Sequence, residues 1–164
     1  MAATKSGLNE DRVALLIGGL IFVLAFAKLI GSDGLGWVVK VGMWVNSPMD
    51  AWRSAAKGLM EGWQAVLCTI AFMTVLLSLG VKLMKGNVGS FVPRFIVVFL
   101  IAFLCYTLGA NAYIAANPTQ LAKQGIPWAL GLSTEAGLIF ALLAGIFIGN
   151  VMPGFADWLR DACR

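Results

Sequence analysis

The stretch from Glu135 to Pro153, EAGLIFALLAGIFIGNVMP, is a long apolar run that sets small residues at four-residue spacing: Gly137, Ala141, Gly145 and Gly149. Residues four apart stack on one face of a helix. A helix here therefore carries a groove of missing side chains, flanked by Leu, Ile and Phe. In lipid no hydrophobic force drives helices together, so close backbone approach and dispersion contacts must supply the attraction. Such a groove requires a partner helix.

Composition agrees with a membrane chain. Of 164 residues, 60% are apolar and 12% charged, with a mean hydropathy of +0.86; a soluble domain carries about 25% charged residues. The 19 glycines also suit membrane helices better than soluble ones. An unusually apolar soluble bundle is the competing reading. The net charge of +4 is scattered, mostly at the ends of apolar segments. It reads as an orientation signal and not as a nucleic-acid surface. Cys68, Cys105 and Cys163 form no CxxC pair and there is no histidine, which removes the usual zinc sets and imidazole catalysis. Cys68 and Cys105 lie inside apolar runs and read as buried thiols. No metal or cofactor is expected.

Along the chain, residues 1–11 are polar and expected to be mobile. Val13 to Gly31 is a first apolar run of about nineteen residues, enough to cross a ~30 Å hydrocarbon layer, with Lys28 free to snorkel. A signal peptide is the competing reading, because Ala25-Phe26-Ala27 resembles a cleavage site. From Ser47-Pro48-Met49-Asp50 a capped helix is expected over 48–61. It would place Trp52, Ala55, Ala56, Leu59 and Trp63 on one side and Arg53, Lys57 and Glu61 on another. We read it as lying at the membrane interface, with a helix in a soluble loop as the alternative. Gly62–Met84 is the second span. The third runs from about Phe91 to Ala116, capped by Ser90, with Pro93 in its first turn and a more polar second half containing Tyr106, Thr107, Asn111 and Tyr113. Asn117-Pro118-Thr119-Gln120 starts a short helix that Gly125–Pro127 ends. Ser133 or Thr134 caps the fourth span, Glu135–Pro153, and an interfacial amphipathic tail follows, with Phe155, Trp158 and Leu159 set against Asp157, Arg160 and Asp161. The expected fold is all-α, a multi-pass transmembrane protein of about four spans plus short interfacial helices.

Four spans place both termini on one side. That side holds Lys5, Arg12, Lys82, Lys85, Arg94, Arg160 and Arg164, against Lys28, Lys40, Arg53, Lys57 and Lys123 on the other. The positive-inside rule then favours cytoplasmic termini. No GxSxG, Walker, Rossmann or HExxH pattern occurs, so no enzyme and no catalytic residue is expected. Glu135 is the carboxylate beside the core of a span. It is a functional candidate by position, or a charge complementing the helix dipole. Asn150, next to Gly149, either hydrogen-bonds across helices or lines a polar path.

On these residues the chain resembles the N-terminal part of the YeiH-type sulfate exporter family of bacterial inner-membrane proteins. The resemblance rests on VALLIGGLIFVLAFAKLIG with GLGWVVK, on YIAANPTQLAKQGIPWALGLSTEAG, and most specifically on GLIFALLAGIFIGNVMPGFADWL, where Gly145, Gly149, Asn150, Pro153 and Trp158 fall in the family's pattern. It implies an N-terminal membrane extension over 1–134 and, over 135–164, the first helix of a transporter-like core with its tail. Family members are several times longer. The resemblance therefore implies the leading portion of an anion exporter, incomplete as a transporter alone. Its partners besides the lipid bilayer would be the absent C-terminal transporter helices, a separate membrane subunit, or a second copy of the chain. The alternative is a small structural or accessory membrane subunit that docks through the glycine-lined groove.

Overall fold

The computed structural model describes residues 10–56, 60, 62–133 and 135–161. Within them the fold is all-α and multi-pass, with one small hairpin. Helix α1 covers Glu10–Phe26 and continues as a 3-10 turn over Ala27–Ile30, giving a 21-residue apolar rod. Helix α2 covers Trp63–Leu83 and α3 covers Val88–Gly109. At 1.5 Å per residue each rod is about 32 Å long, close to the ~30 Å of a hydrocarbon layer. Helix α6, Ala136–Val151, has 16 residues and reaches only about 24 Å. After Met152 the chain turns by 113° into α7, Pro153–Arg160. Among the described residues three helices are thus long and apolar enough to cross a membrane, and a fourth span exists if the bent pair counts as one.

The distribution of side-chain sizes is that of a protein solvated by lipid. No large side chain is fully buried among the described residues; Ala65 and Ala136 are the most buried side chains of the long helices, with Val13 close behind, and Ala51, Ala112, Ala115 and Ala116 are buried outside them. Leu15, Phe22, Val75, Leu79, Leu104, Leu142 and Phe147 face outward. An apolar exterior on this scale is untenable in water, whereas small residues between membrane helices permit close backbone approach. At the α1–α2 contact, a methyl group added at Gly80 would lie 2.7 Å from Ile17 Cδ1 and 3.3 Å from Val13 Cγ1. The start of α1 therefore sits beside the end of α2, and α7 returns to the first turns of α3. The described N- and C-terminal residues lie at the same end of the bundle.

The opposite end carries a cap. Strands β1 (Val39–Val41) and β2 (Trp52–Ser54) pair antiparallel, Val39 opposite Ser54 and Val41 opposite Trp52. The hairpin is fixed to α2 by the Val39 N–H, which donates to Thr69 Oγ1 at 2.9 Å. It is fixed to α3 through Thr107, a residue 2% exposed. The Trp44 indole donates to the Thr107 carbonyl at 2.7 Å, and the Trp52 indole to the Thr107 hydroxyl at 3.2 Å. Helices α4 (Ala112–Ala115) and α5 (Pro118–Gln124) complete this end around Ala112, Ala116 and Ile126.

Three expectations are corrected. The helix expected over 48–61 is a 3-10 turn at Pro48–Ala51 followed directly by β2; Lys57, Leu59 and Glu61 lie outside the described residues. Pro48 does start a turn, but Trp52 bonds to Thr107 and packs on Phe103, with ring centroids 5.5 Å apart, and this tertiary anchoring overrides the local helical pattern. The third span begins earlier and ends sooner than 91–116. Asn87 is its cap, accepting from the Ser90 N–H, so Pro93 falls beyond the first turn. It ends at Gly109 because Trp44 inserts a parallel bridge at Asn111: the Trp44 N–H donates to the Ala110 carbonyl, and the Ala112 N–H donates to the Trp44 carbonyl. Finally, the fourth span is shorter than 135–153 and bends at Met152–Pro153, where proline cannot continue the helix. Glu135 occupies the N-cap position without a side-chain capping bond, and Ser133 Oγ accepts from the Glu135 N–H. Thr134 and residues 1–9 and 162–164 lie outside the described residues, so their expected roles do too.

Candidate functional site

The small-residue stripe divides into two halves. At its base α6 crosses α3 so closely that a methyl group on Gly109 would collide with the Gly137 backbone. A methyl on Gly137 would lie 3.0 Å from Tyr106 Cα. Glycine is required at Gly109, and at Gly137 a methyl group would fit only if Tyr106 gave way by a few tenths of an ångström. Farther along, the helices diverge. Ala141, Gly145 and Gly149 line an apolar pocket of about 360 Å³, walled by Val98, Ile101 and Ala102 of α3 and roofed by Ala156, Leu159 and Arg160 of α7. Nothing lies within 4 Å of where a side chain would begin at Gly145 or Gly149. Half of the groove is filled by α3; half is open.

Arg94 stands at the α7 end of this junction and is the only charge in α3. Its side chain is 13% exposed. The guanidinium lies 5.4 Å from the centre of the Trp158 ring and 3.9 Å from Asp161 Oδ2. It also donates to the Ser90 carbonyl at 3.1 Å and to the Ser90 hydroxyl, while its buried Nε has no hydrogen-bond partner among the described residues. A cation held over an indole face and beside a carboxylate is attracted by both. Arg94 thus ties the amphipathic helix α7 to α3. Sequence reasoning counted Arg94 only toward orientation. The usable signal was a lone charge inside an otherwise apolar span, which marks a functional candidate by default.

Glu135 and Asn150 do not come together. They flank opposite ends of α6, about 22 Å apart along its axis. Glu135 is exposed, and the Asn150 side-chain amide donates back to the Ile146 carbonyl at 2.7 Å. That bond is internal to α6, not a bridge to another helix. Among the described residues no cluster of His, Cys, Asp and Glu could hold a metal ion. Cys68 and Cys105 are free thiols.

No family model and no solved structure matches the chain. It is 26% identical over 159 residues to a UPF0324 membrane protein of Nitrosomonas europaea, covering 95% of this chain and 33% of that protein. It is 25% identical over 126 residues to a UPF0324 membrane protein of Rhodopirellula baltica, covering 77% of this chain and 19% of that protein. The chain spans about a third or less of the length of these relatives. Matched over nearly its whole length, it is a homologue of the UPF0324, or YeiH-type, membrane proteins.

Proposed function

We propose that the chain is a non-enzymatic membrane module of a YeiH-type anion transport system, working with helices that correspond to the rest of the relatives' length. One observation carries this reading: the Ala141–Gly149 half of the groove is open, while its Gly137 half is already seated on α3. A small-residue groove left open in lipid is a surface on which another helix gains close contact. Residues 1–134 act as an extension that braces α6, and α6 with α7 forms the start of the transport core. The bend at Met152–Pro153 fits that role, since transporter sites use interrupted helices. Sulfate is the substrate to test first, by the resemblance. The module sits in the bacterial inner membrane with both termini cytoplasmic.

The apolar lining of the pocket favours a second reading, an accessory subunit that docks a partner, a second copy included, with no substrate path of its own. Reconstitution separates the two. In liposomes the chain alone should show no saturable sulfate uptake. Co-reconstituted with the part of the Nitrosomonas relative that it does not match, it should form a complex that restores uptake, and Gly145→Leu should break that complex while Ile146→Leu leaves it intact. A complex without uptake would favour the accessory reading. Robust uptake by the chain alone would refute the need for further helices, and a complex indifferent to Gly145→Leu would refute docking through the groove.

A further inference from the structure

We propose that the non-helical segment Ile126–Ser133, between α5 and α6, lies in the headgroup and upper acyl layer of the bilayer as an interfacial ledge. The segment lies at the level of the capped end of α3: Leu130 N–H donates to the Tyr113 carbonyl at 2.9 Å, and Leu132 N–H to the Ile114 carbonyl at 3.0 Å. In sequence α6 begins three residues after it, at Ala136. No charge occurs from Gln124 to Ser133. Three large apolar side chains are nevertheless left outside the fold within five residues: Trp128 is 57% exposed, Leu130 63% and Leu132 44%.

The occupant follows from continuity with the lipid-facing surface. Leu138 and Ile139, on the first turn of α6 after the ledge, are also exposed and belong to the apolar exterior of the bundle. At the same end, Trp63 at the start of α2 and Leu29 and Ile30 at the end of α1 are exposed. Tryptophan collects at headgroup level because its body is apolar and its N–H polar. Trp128 leans on Tyr113, with ring centroids 5.7 Å apart, which holds a second amphipathic ring at that level. Depth is bounded on the other side by the backbone. An irregular segment cannot enter the hydrocarbon itself unless its polar groups are satisfied. Three N–H groups of the ledge are paired with backbone carbonyls, that of Ile126 with Leu121 and those of Leu130 and Leu132 with Tyr113 and Ile114, but the segment is no helix, so it rests about 5–10 Å into the headgroup–acyl boundary and no deeper. Lys123, exposed in the last turn of α5, marks the watery side from which the chain enters it.

Spin labels test this. In lipid nanodiscs, with native cysteines replaced by alanine, labels at Trp128→Cys, Leu130→Cys and Leu132→Cys should collide more with oxygen than with a water-soluble nickel chelate. The ratio should approach that of Leu138→Cys and be reversed at Lys123→Cys. A chelate preference at the ledge would place it in water, and protection from both reagents would place a protein partner there; either result overturns the proposal. If cysteine replacement disturbs the fold, the same question is asked of the native chain in bromolipid bilayers. The emission difference between it and Trp128→Phe should be quenched by bromines near the acyl carbonyls more than by bromines near the chain ends. Absence of such quenching would equally overturn it.

Discussion

Replacing Gly109 by alanine tests the α3–α6 crossing with a single methyl group. That methyl would lie 2.5 Å from the Gly137 Cα and 2.8 Å from the Ala136 carbonyl carbon. Carbon atoms rest at about 3.5–4.0 Å, so the helices must separate by roughly 1 Å, and a gap of 0.5–1 Å forfeits about a quarter to a half of each dispersion contact. The obstruction is backbone on the α6 side, so no rotamer change relieves it. Overpacking of this kind costs about 1–3 kcal/mol, equivalent to roughly 5- to 150-fold in the unfolding equilibrium. The control is Gly145→Ala, in the open half of the groove, where nothing stands within 4 Å. There the methyl meets no neighbour and the helix gains about 0.8–1 kcal/mol of propensity, so the variant should be neutral or more stable. Reversible unfolding in bicelles by titration with a denaturing detergent, followed by energy transfer between labels on α3 and α6, measures both. Equal effects at the two positions, or a Gly109→Ala change below about 0.5 kcal/mol, would refute the close crossing.

Other perturbations probe the cap and the α7 tie. Thr107→Val removes the acceptor of the Trp52 indole but leaves the Trp44 bond to the Thr107 carbonyl intact, and should cost about 1–3 kcal/mol in the same titration. Arg94→Met should release α7 from α3 by removing a cation–π contact and a charge pair worth about 1–2 kcal/mol together; faster amide exchange across Pro153–Arg160, with α1 and α2 unchanged, is the expected readout. Asn117→Ala breaks the reciprocal bonds between Asn117 and Gln120. It should cost about 1 kcal/mol, seen as local exchange in α5 without loss of the spans.

How much was legible depended on whether neighbours or distant segments decide a residue's conformation. The three long rods are set by their own apolar length, and the start of α5 by Asn117 and Gln120, whose bonds lie within three residues; Gly125 closes it at φ 65°. These features could be read locally. Residues 48–61 could not. Their helical spacing is real, but Trp52 is captured by Thr107, 55 residues away, and a pairing partner for β2 lies in β1. The early end of α3 depends likewise on Trp44, 63 residues upstream of the carbonyl its indole reaches. At the candidate site the stripe Gly137–Gly149 was visible as spacing, and its division into a filled half and an open half was not, because that depends on where α3 diverges and where Pro153 turns the chain. Glu135 and Asn150 were read from chemistry alone, which carries no information about the length of helix between them. Arg94 was visible and undervalued: a single cation in a 22-residue apolar helix needs a partner, and Trp158 and Asp161 supply one.

Everything above depends on lipid being the solvent of α1, α2, α3 and α6. Alkaline extraction of membranes from cells expressing the chain tests this most directly, followed by amide exchange of the purified protein in nanodiscs. The chain should remain in the alkali-resistant pellet, with slow exchange over Val13–Ile30, Trp63–Leu83, Val88–Gly109 and Ala136–Val151. Recovery as a monodisperse, detergent-free monomer from the soluble fraction would contradict it.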